Sequence, residues 1–170
     1  MSKASHIASA LVNAAKNGKK VLVQIELQAR FDEENNINFA EQLEAAGVQL
    51  IFAISGLKGN SKIWVIERDH EKKTRRYGFV STGNFNESTA KIYTDYTLFT
   101  SNQKILKEVN KVFNFLEVSY KIKKYKHLIV SPHYTASIIS KLIDIEIQNH
   151  KNGLPSGISL KINNITNYPL

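Results

Sequence analysis

The feature that most constrains the fold is an alternation of helical and strand patterns over residues 5–54. Apolar residues recur at helical spacing in 5–17 and again in a segment that ends at Gly47. Each of these segments is followed by a β-rich apolar run, at 21–27 and at 48–54. Such alternation favours a parallel sheet covered by helices, so the first half of the chain is predicted to be α/β.

The next part of the chain reads differently, as an antiparallel hairpin followed by a helix. Two apolar runs, KIWVIER at 62–68 and RRYGFV at 75–80, are separated by a short hydrophilic turn. A short strand, YTLFT, follows at 96–100, and residues 102–116 show a strong amphipathic pattern. The sequence therefore predicts a mixed sheet with helices on its faces.

Two details of the helices follow from residue type. Asn36 or Asn38 is expected to cap the second helix, because a short amide side chain accepts hydrogen bonds from the first free backbone N–H groups. The 102–116 helix is expected to bury one apolar face. That face comprises Ile105, Leu106, Val109, Val112, Phe113 and Leu116.

The last third of the chain begins with a lysine-rich stretch at 118–127 that has no apolar period. It is predicted to be a linker or an exposed arm. The run HLIVSP at 127–132 is predicted to be a strand, residues 137–150 a helix, and ISLKINN at 158–164 one more strand. The chain opens on a helix and stops after a strand, which we interpret as cuts through a larger α/β protein.

Composition narrows the function classes. The net charge is +8, and the basic excess lies in 58–76 and 104–126, which favours polyanionic partners. Cysteine is absent, so disulfides, thiolate metal sites and a cysteine nucleophile are excluded. The sequence contains no run of about 18 apolar residues, so no membrane span is predicted. The first 20 residues lack the apolar core of a secretory signal.

The residues that carry chemistry are mainly in loops. Five histidines are present, but none is paired at a metal-ligand spacing, and no serine-hydrolase elbow occurs. The loops GLKGNSK (56–62) and STGNFN (81–86) offer backbone amides that can cradle phosphate, or they are ordinary turns. Arg30, just past a strand end, is placed to clamp a phosphate or to pair with the carboxylates beside it.

Longer stretches of the chain resemble the long polyphosphate kinase family, in order and over nearly its whole length. They are AAKNGKKVLVQIELQARFDEENNINFAEQLEAAGVQLIF, GLKGNSK, RRYGFVSTGNFNESTAKIYTDYTLFT, VFNFLE, LIVSP and EIQNHKNGLPSGISLKINN. The resemblance implies a phospholipase D-like α/β fold, truncated relative to the full family domain. Residues 1–117 would be most of the first C-terminal domain, 118–127 a linker, and 128–170 the start of the second.

The resemblance also implies an activity and its partners. Family enzymes transfer the terminal phosphate of ATP reversibly to polyphosphate with Mg²⁺. ATP, ADP and polyphosphate are thus the expected partners, with other polyanions and self-association into a homo-oligomer left open. The expected location is cytoplasmic, with a peripheral membrane association left open.

The catalytic positions of the family are altered here. The family carries phosphate on a histidine in a G-L-K-x-H-x-K motif, and Asn60 stands at that histidine while Lys62 is retained. A second family histidine precedes the T-G-N motif, and Phe79 stands there. A carboxamide nitrogen is conjugated and cannot act as the nucleophile, so the resemblance implies an enzyme-derived chain that is inactive.

The binding positions are better kept. Arg30 stands at a position that the family associates with magnesium and phosphate, and Tyr93 at a nucleotide-contacting position. Lys58 and Asn84 belong to the expected phosphate-binding set. Arg30, Asn60, Lys62 and Asn84 are expected to converge on one basic pocket.

Three functions follow from these observations. The first is a polyphosphate kinase homologue that is inactive but retains phosphate affinity. The second is a basic scaffold that binds polyanions without chemistry. The third is a phospholipase D-like nuclease or phosphodiesterase, which the missing histidines disfavour equally.

Overall fold

The structure, a computed structural model, describes residues 5–26, 33–52, 59–118, 124–132 and 134–162. The chain divides into two compact units, Met1–Lys123 and Lys124–Leu170. The elements are α1 (His6–Lys16), β1 (Leu22–Ile25), α2 (Glu33–Ala45), β2 (Gln49–Phe52), β3 (Lys62–His70), β4 (Lys73–Ser81), α3 (Glu87–Ala90), β5 (Thr97–Thr100), α4 (Gln103–Glu117) and α5 (Thr135–Lys151). The predicted domain boundaries stay a prediction.

The first unit contains the predicted parallel pair. β1 and β2 run parallel, with Leu22 opposite Gln49 and Ile25 opposite Phe52. α1 begins where predicted, because the Ser5 hydroxyl caps it by accepting from the Ala8 N–H at 3.4 Å. The helix–strand alternation of the first half is therefore confirmed.

A second sheet holds three antiparallel strands in the order β3-β4-β5. The β3–β4 hairpin turns at Glu71 and Lys72, whose φ angles of 47° and 64° are those of a tight two-residue hairpin turn. The register pairs Lys62 with Ser81 at one end and His70 with Lys73 at the other. The predicted hairpin is confirmed.

The start of α2 differs from the prediction. The helix begins at Glu33, so Asn36 and Asn38 lie inside it and neither caps it. The Asn36 amide instead donates to the backbone carbonyl of Glu26 at 3.0 Å, which ties the helix to the chain just after β1. A side-chain partner ten residues away in sequence outweighs the local preference for a cap. The apolar residues of this segment face the interior, with Phe39 7% and Leu43 1% exposed.

Part of the core of this unit lies where α4 packs on β3 and β4. The other buried apolar residues lie in or next to α1, α2 and β2: Ala8, Phe39, Ala40, Leu43, Val48 and Ile51. Leu106 and Val109 are both 0% exposed, as the amphipathic pattern predicts. Gly78 lets α4 lie close to the sheet, because it has no side chain between them. A Cβ at Gly78 would clash with the Trp64 carbonyl oxygen and lie 3.0 Å from the Leu106 side chain. Asn102 caps α4 by accepting from the N–H groups of its first turn.

The second unit is organised around α5, and here two predicted strands are wrong. Residues 127–132 and the described part of 158–164 form no strand, although α5 covers the predicted helix. An apolar run becomes a strand only when a neighbouring strand satisfies its backbone groups, and the described residues of this unit offer none. Within the same ranges, no helix is long and apolar enough to cross a bilayer.

Candidate functional site

A cavity of about 240 Å³ lies beside the first residues of β3. Residues of α1, β1, β3 and α4 supply much of its lining. Lys62 and Asn84 both line it, so the structure brings together two residues from separate predicted loops. Gly59 lines it as well, and a Cβ there would lie 3.1 Å from the Gln24 side-chain amide, so the loop approaches β1 closely.

Lys62 is the charged centre of this cavity. Its Nζ donates to the Asn60 side-chain oxygen at 2.7 Å. Partial burial lowers the pKa of Lys62 from its ordinary value of 10.5, and the negative charge of Asp95 acts in the opposite direction. A partly desolvated ammonium group is strongly attracted to an anion, because its lost hydration is replaced by direct contact.

The turn that carries Asn84 is held by hydrogen bonds to the segment before β5. The Thr82 hydroxyl donates to the Asp95 carboxylate at 3.0 Å and accepts from the Tyr96 N–H at 3.0 Å. The Thr82 N–H donates to the Tyr96 carbonyl at 3.0 Å. The Gly83 N–H donates to the Ser81 hydroxyl at 3.1 Å. The position of Asn84 is thus fixed by its neighbours, before any ligand arrives.

Gly83 leaves no room for a side chain in this turn. A Cβ there would lie 2.7 Å from Asp95 Oδ2 and 2.8 Å from its Cγ. We expect Gly83→Ala to lose the Thr82–Asp95 hydrogen bond, to destabilise the fold by about 1–3 kcal/mol and to weaken tripolyphosphate binding. Thermal unfolding and titration calorimetry measure the two effects.

Gly157→Ala is the matched control for that variant. Nothing lies within 4 Å of a Cβ at Gly157, so the same added methyl group meets open space. If Gly83→Ala and Gly157→Ala bind tripolyphosphate equally well, the turn does not position the site.

Asn60 is exposed and lies between Gly59 and Ser61, which line the cavity, but it is not among the lining residues itself. Its side-chain oxygen is occupied by Lys62, which leaves its NH₂ group as the hydrogen-bond donor toward a ligand. An amide in this place can hold a phosphate oxygen but offers no free nucleophilic lone pair.

Phe79 lies in an aromatic cluster one layer from the cavity. Its ring is 6.1 Å from Trp64, 5.7 Å from Phe85 and 5.2 Å from Phe99, measured between centroids. Trp64 and Phe85 line the cavity themselves. Phe79 thus supports the cavity wall and supplies no acid or base, as its residue type predicts.

Of the remaining predicted binding residues, Tyr93 is the one that the structure describes. Tyr93 follows α3 and is 64% exposed, and it is not among the residues that line the cavity. Arg30 and Lys58 lie outside the described residues, so the predicted convergence with Arg30 stays a prediction. Asn60, Lys62 and Asn84 are the members of that set that the structure places together.

A magnesium site built from protein groups alone is not found among the described residues, which hold no group of three or more His, Cys, Asp or Glu side chains suited to a metal. Magnesium in phosphate sites is held by one or two carboxylates together with the phosphates themselves. Among the described lining residues, Glu26 is the one with a carboxylate. The donor set therefore fits an ion that arrives with a phosphate chain.

The chain matches a known protein family over most of its length. The family described as polyphosphate kinase C-terminal domain 1 matches residues 1–144. The chain belongs to the polyphosphate kinase family. The polyphosphate kinase of Escherichia coli K12 is 47% identical over 165 residues, which are 97% of this chain and 24% of that protein. The Salmonella typhimurium enzyme is 48% identical over the same length.

A solved structure agrees with this assignment. The crystal structure of polyphosphate kinase from Porphyromonas gingivalis matches with a TM-score of 0.75 and 38% identity, over 89% of this chain and 26% of that one. The predicted mixed α/β, phospholipase D-like fold of the C-terminal region is thus confirmed. The chain spans about a quarter of the length of the polyphosphate kinases it matches.

Sequence reasoning missed two contributors to the site. Asp95 influences Lys62 and anchors Thr82, and Gln24 closes on Gly59 from β1. Asp95 stands in the stretch IYTDY, two residues after Tyr93. Its closeness to that motif residue is the one sequence feature that could have indicated a role in the site. Nothing in the local sequence of β1 points to Gln24.

Proposed function

We propose that this chain is a polyphosphate kinase C-terminal module that binds phosphate chains and does not carry out phosphoryl transfer. The observation that supports it is the cavity with Lys62 and Asn84 in its lining and Asn60 hydrogen-bonded to Lys62. Lysine and asparagine side chains, here Lys62 and Asn84, bind phosphate oxygens by charge and by hydrogen bonding. Asn60 stands in place of the histidine that the family reaction requires.

The ligands of this proposal are those of the family. Polyphosphate is the primary ligand, and ATP or ADP with Mg²⁺ binds through its phosphates at the same lysine. Glu26 and the bound phosphates would hold the ion, which supplies charge neutralisation of the phosphate oxygens. A cytoplasmic location, where ATP is available, belongs to the same proposal.

The test is the binding of tripolyphosphate to the parent chain and to two lysine variants. Lys62→Ala removes a charge-assisted contact and is expected to weaken binding at least about tenfold. Lys104→Ala removes the same charge from an exposed position on α4 and is expected to change binding less than about twofold. Equal effects of the two variants would reject a specific site in favour of diffuse attraction.

The same titration gives a pH dependence. Because the pKa of Lys62 is lowered, its charge is lost at a lower pH than that of an exposed lysine. Tripolyphosphate affinity is therefore expected to begin falling below pH 10.5, before the exposed lysines titrate. Lys62→Arg keeps its charge throughout and is expected to remove this early decline.

The alternative function, a basic scaffold that binds any polyanion without a site, predicts another pattern. It requires only the net charge of +8. Binding would then fall steeply with salt for every polyanion, and no single lysine would dominate. Repeating the lysine comparison at two salt concentrations separates the two functions.

A further inference from the structure

One face of the β3-β4-β5 sheet is aromatic and open. Gly78 faces α4, so its neighbour Phe79 points to the opposite side of the sheet. The register places Trp64 and Phe99 beside Phe79 on that side, and Ile66 opposite Tyr77. Phe99 is 74% exposed. We call this surface the aromatic face; its members are Trp64, Ile66, Tyr77, Phe79 and Phe99.

The aromatic face continues into a basic groove. A depression of about 570 Å³ is lined by all five members of the face. It shares Trp64, Ile66 and Tyr77 with a groove of about 890 Å³ that runs to the end of α1. Lys19, Lys20 and Arg68 line that groove. Among the described residues, none of these three cations has an ion-pair partner.

A second observation points to an anion here. Arg68 and Arg75 are directly opposite each other in the β3–β4 register, on the same side as the aromatic face. Like charges in directly opposite positions repel, and a bound anion between them relieves that repulsion. The two carboxylates that line the groove, Glu67 and Asp69, interact with residues other than Arg68 and Arg75. Glu67 pairs with Arg76 at 2.6 Å, and Asp69 accepts from the Thr74 hydroxyl at 2.8 Å.

The surface therefore joins stacking rings to cations that have no ion-pair partner in the part of the chain that the structure describes. A phosphate chain would use the cations and leave the rings bare, whereas an apolar protein surface would cover the rings and bury the arginines without partners. A ligand with both planar bases and regularly spaced phosphates satisfies both parts. Single-stranded nucleic acid has that chemistry, since bases stack on aromatic side chains while lysine and arginine follow the backbone.

We propose that the aromatic face and the adjoining groove bind single-stranded nucleic acid, at a surface that meets the Lys62 cavity at Trp64. Bases stack on Phe99 and the neighbouring rings, and phosphates lie along Arg68, Arg75 and the end of α1. Trp64 is the single tryptophan of the chain and lines both this face and the Lys62 cavity, so its fluorescence reports binding at either place.

The experiment titrates the full chain with a single-stranded oligonucleotide of about 12 residues, with duplex DNA of that length and with polyphosphate of equal charge. We expect the single strand to bind tightest, and we expect its binding, unlike that of polyphosphate, to depend on Phe99. Phe99→Ala is expected to weaken single-strand binding about tenfold. The Arg68→Ala, Arg75→Ala double variant is expected to lower the slope of log affinity against log salt by about two.

Two matched variants test whether the binding belongs to the aromatic face rather than to overall charge or to the Lys62 cavity. Lys104→Ala, which removes a charge from α4, is expected to leave single-strand binding unchanged. Lys62→Ala is expected to weaken tripolyphosphate but not single-strand binding, so this proposal and the proposed function fail independently. Equal binding of polyphosphate and single strand, or an unchanged Phe99→Ala, would overturn the nucleic-acid surface. So would concentration-dependent self-association that Phe99→Ala abolishes, because the face would then be covered by a second copy.

Discussion

Replacement of Val109 by aspartate is expected to destabilise the first unit by about 3–5 kcal/mol, the largest stability effect of any single change considered for this chain. Val109 is 0% exposed on α4, beside Leu106 and against the β3–β4 sheet. A carboxylate there loses its hydration and gains no cation. Since small domains are stable by about 5–15 kcal/mol, the variant should melt many degrees lower or not fold. Thermal unfolding followed by circular dichroism measures the change.

The matched control is Asn114→Asp, which adds the same charge to an exposed position of the same helix. Its cost is expected to stay within about 1 kcal/mol, the penalty for an anion near a helix C-terminus. Similar melting curves for Val109→Asp and the parent chain would mean that this face of α4 is not the core.

The success of the α4 prediction and the failure in the second unit have the same physical origin. The apolar spacing of α4 is a local signal, and a helix satisfies its own backbone hydrogen bonds. The runs at 127–132 and 158–164 are equally apolar, but a strand needs a partner that local sequence does not supply. For the hairpin, the partner is adjacent in sequence, so β3 and β4 were predictable.

The candidate site was likewise predictable from the sequence only in part. Lys62 and Asn84 were predictable because each belongs to a loop whose residue types bind phosphate. Their shared cavity depends on tertiary packing, and so does the effect of Asp95 on Lys62, which no spacing in the sequence reveals. The open aromatic face escaped prediction for a further reason: alternation in β3 shows that two faces exist, but not which one α4 covers.

Loss of catalysis is the second large effect expected. Incubated with γ-labelled ATP and Mg²⁺, the parent chain should form no acid-labile phosphohistidine and no polyphosphate. The Asn60 nitrogen is a conjugated amide, and its oxygen is held by Lys62. His70 ends β3, which begins at Lys62, so about 26 Å of extended strand separates the two residues. Acid and base stability of the protein-bound label, with chain elongation on gels, provides the readout.

The Asn60→His variant is the comparison that tests the reason for this loss. It restores an imidazole beside Lys62, within reach of that lysine's Nζ, which now donates to the amide oxygen. Positioning supplies most of the catalysis in phosphoryl transfer, so label on this variant is expected to be small even where the nucleophile is restored. The parent chain is therefore the decisive sample. Label on the parent above a no-protein control would show that another residue accepts the phosphate. It would also reject the proposal that this chain binds phosphate chains without phosphoryl transfer.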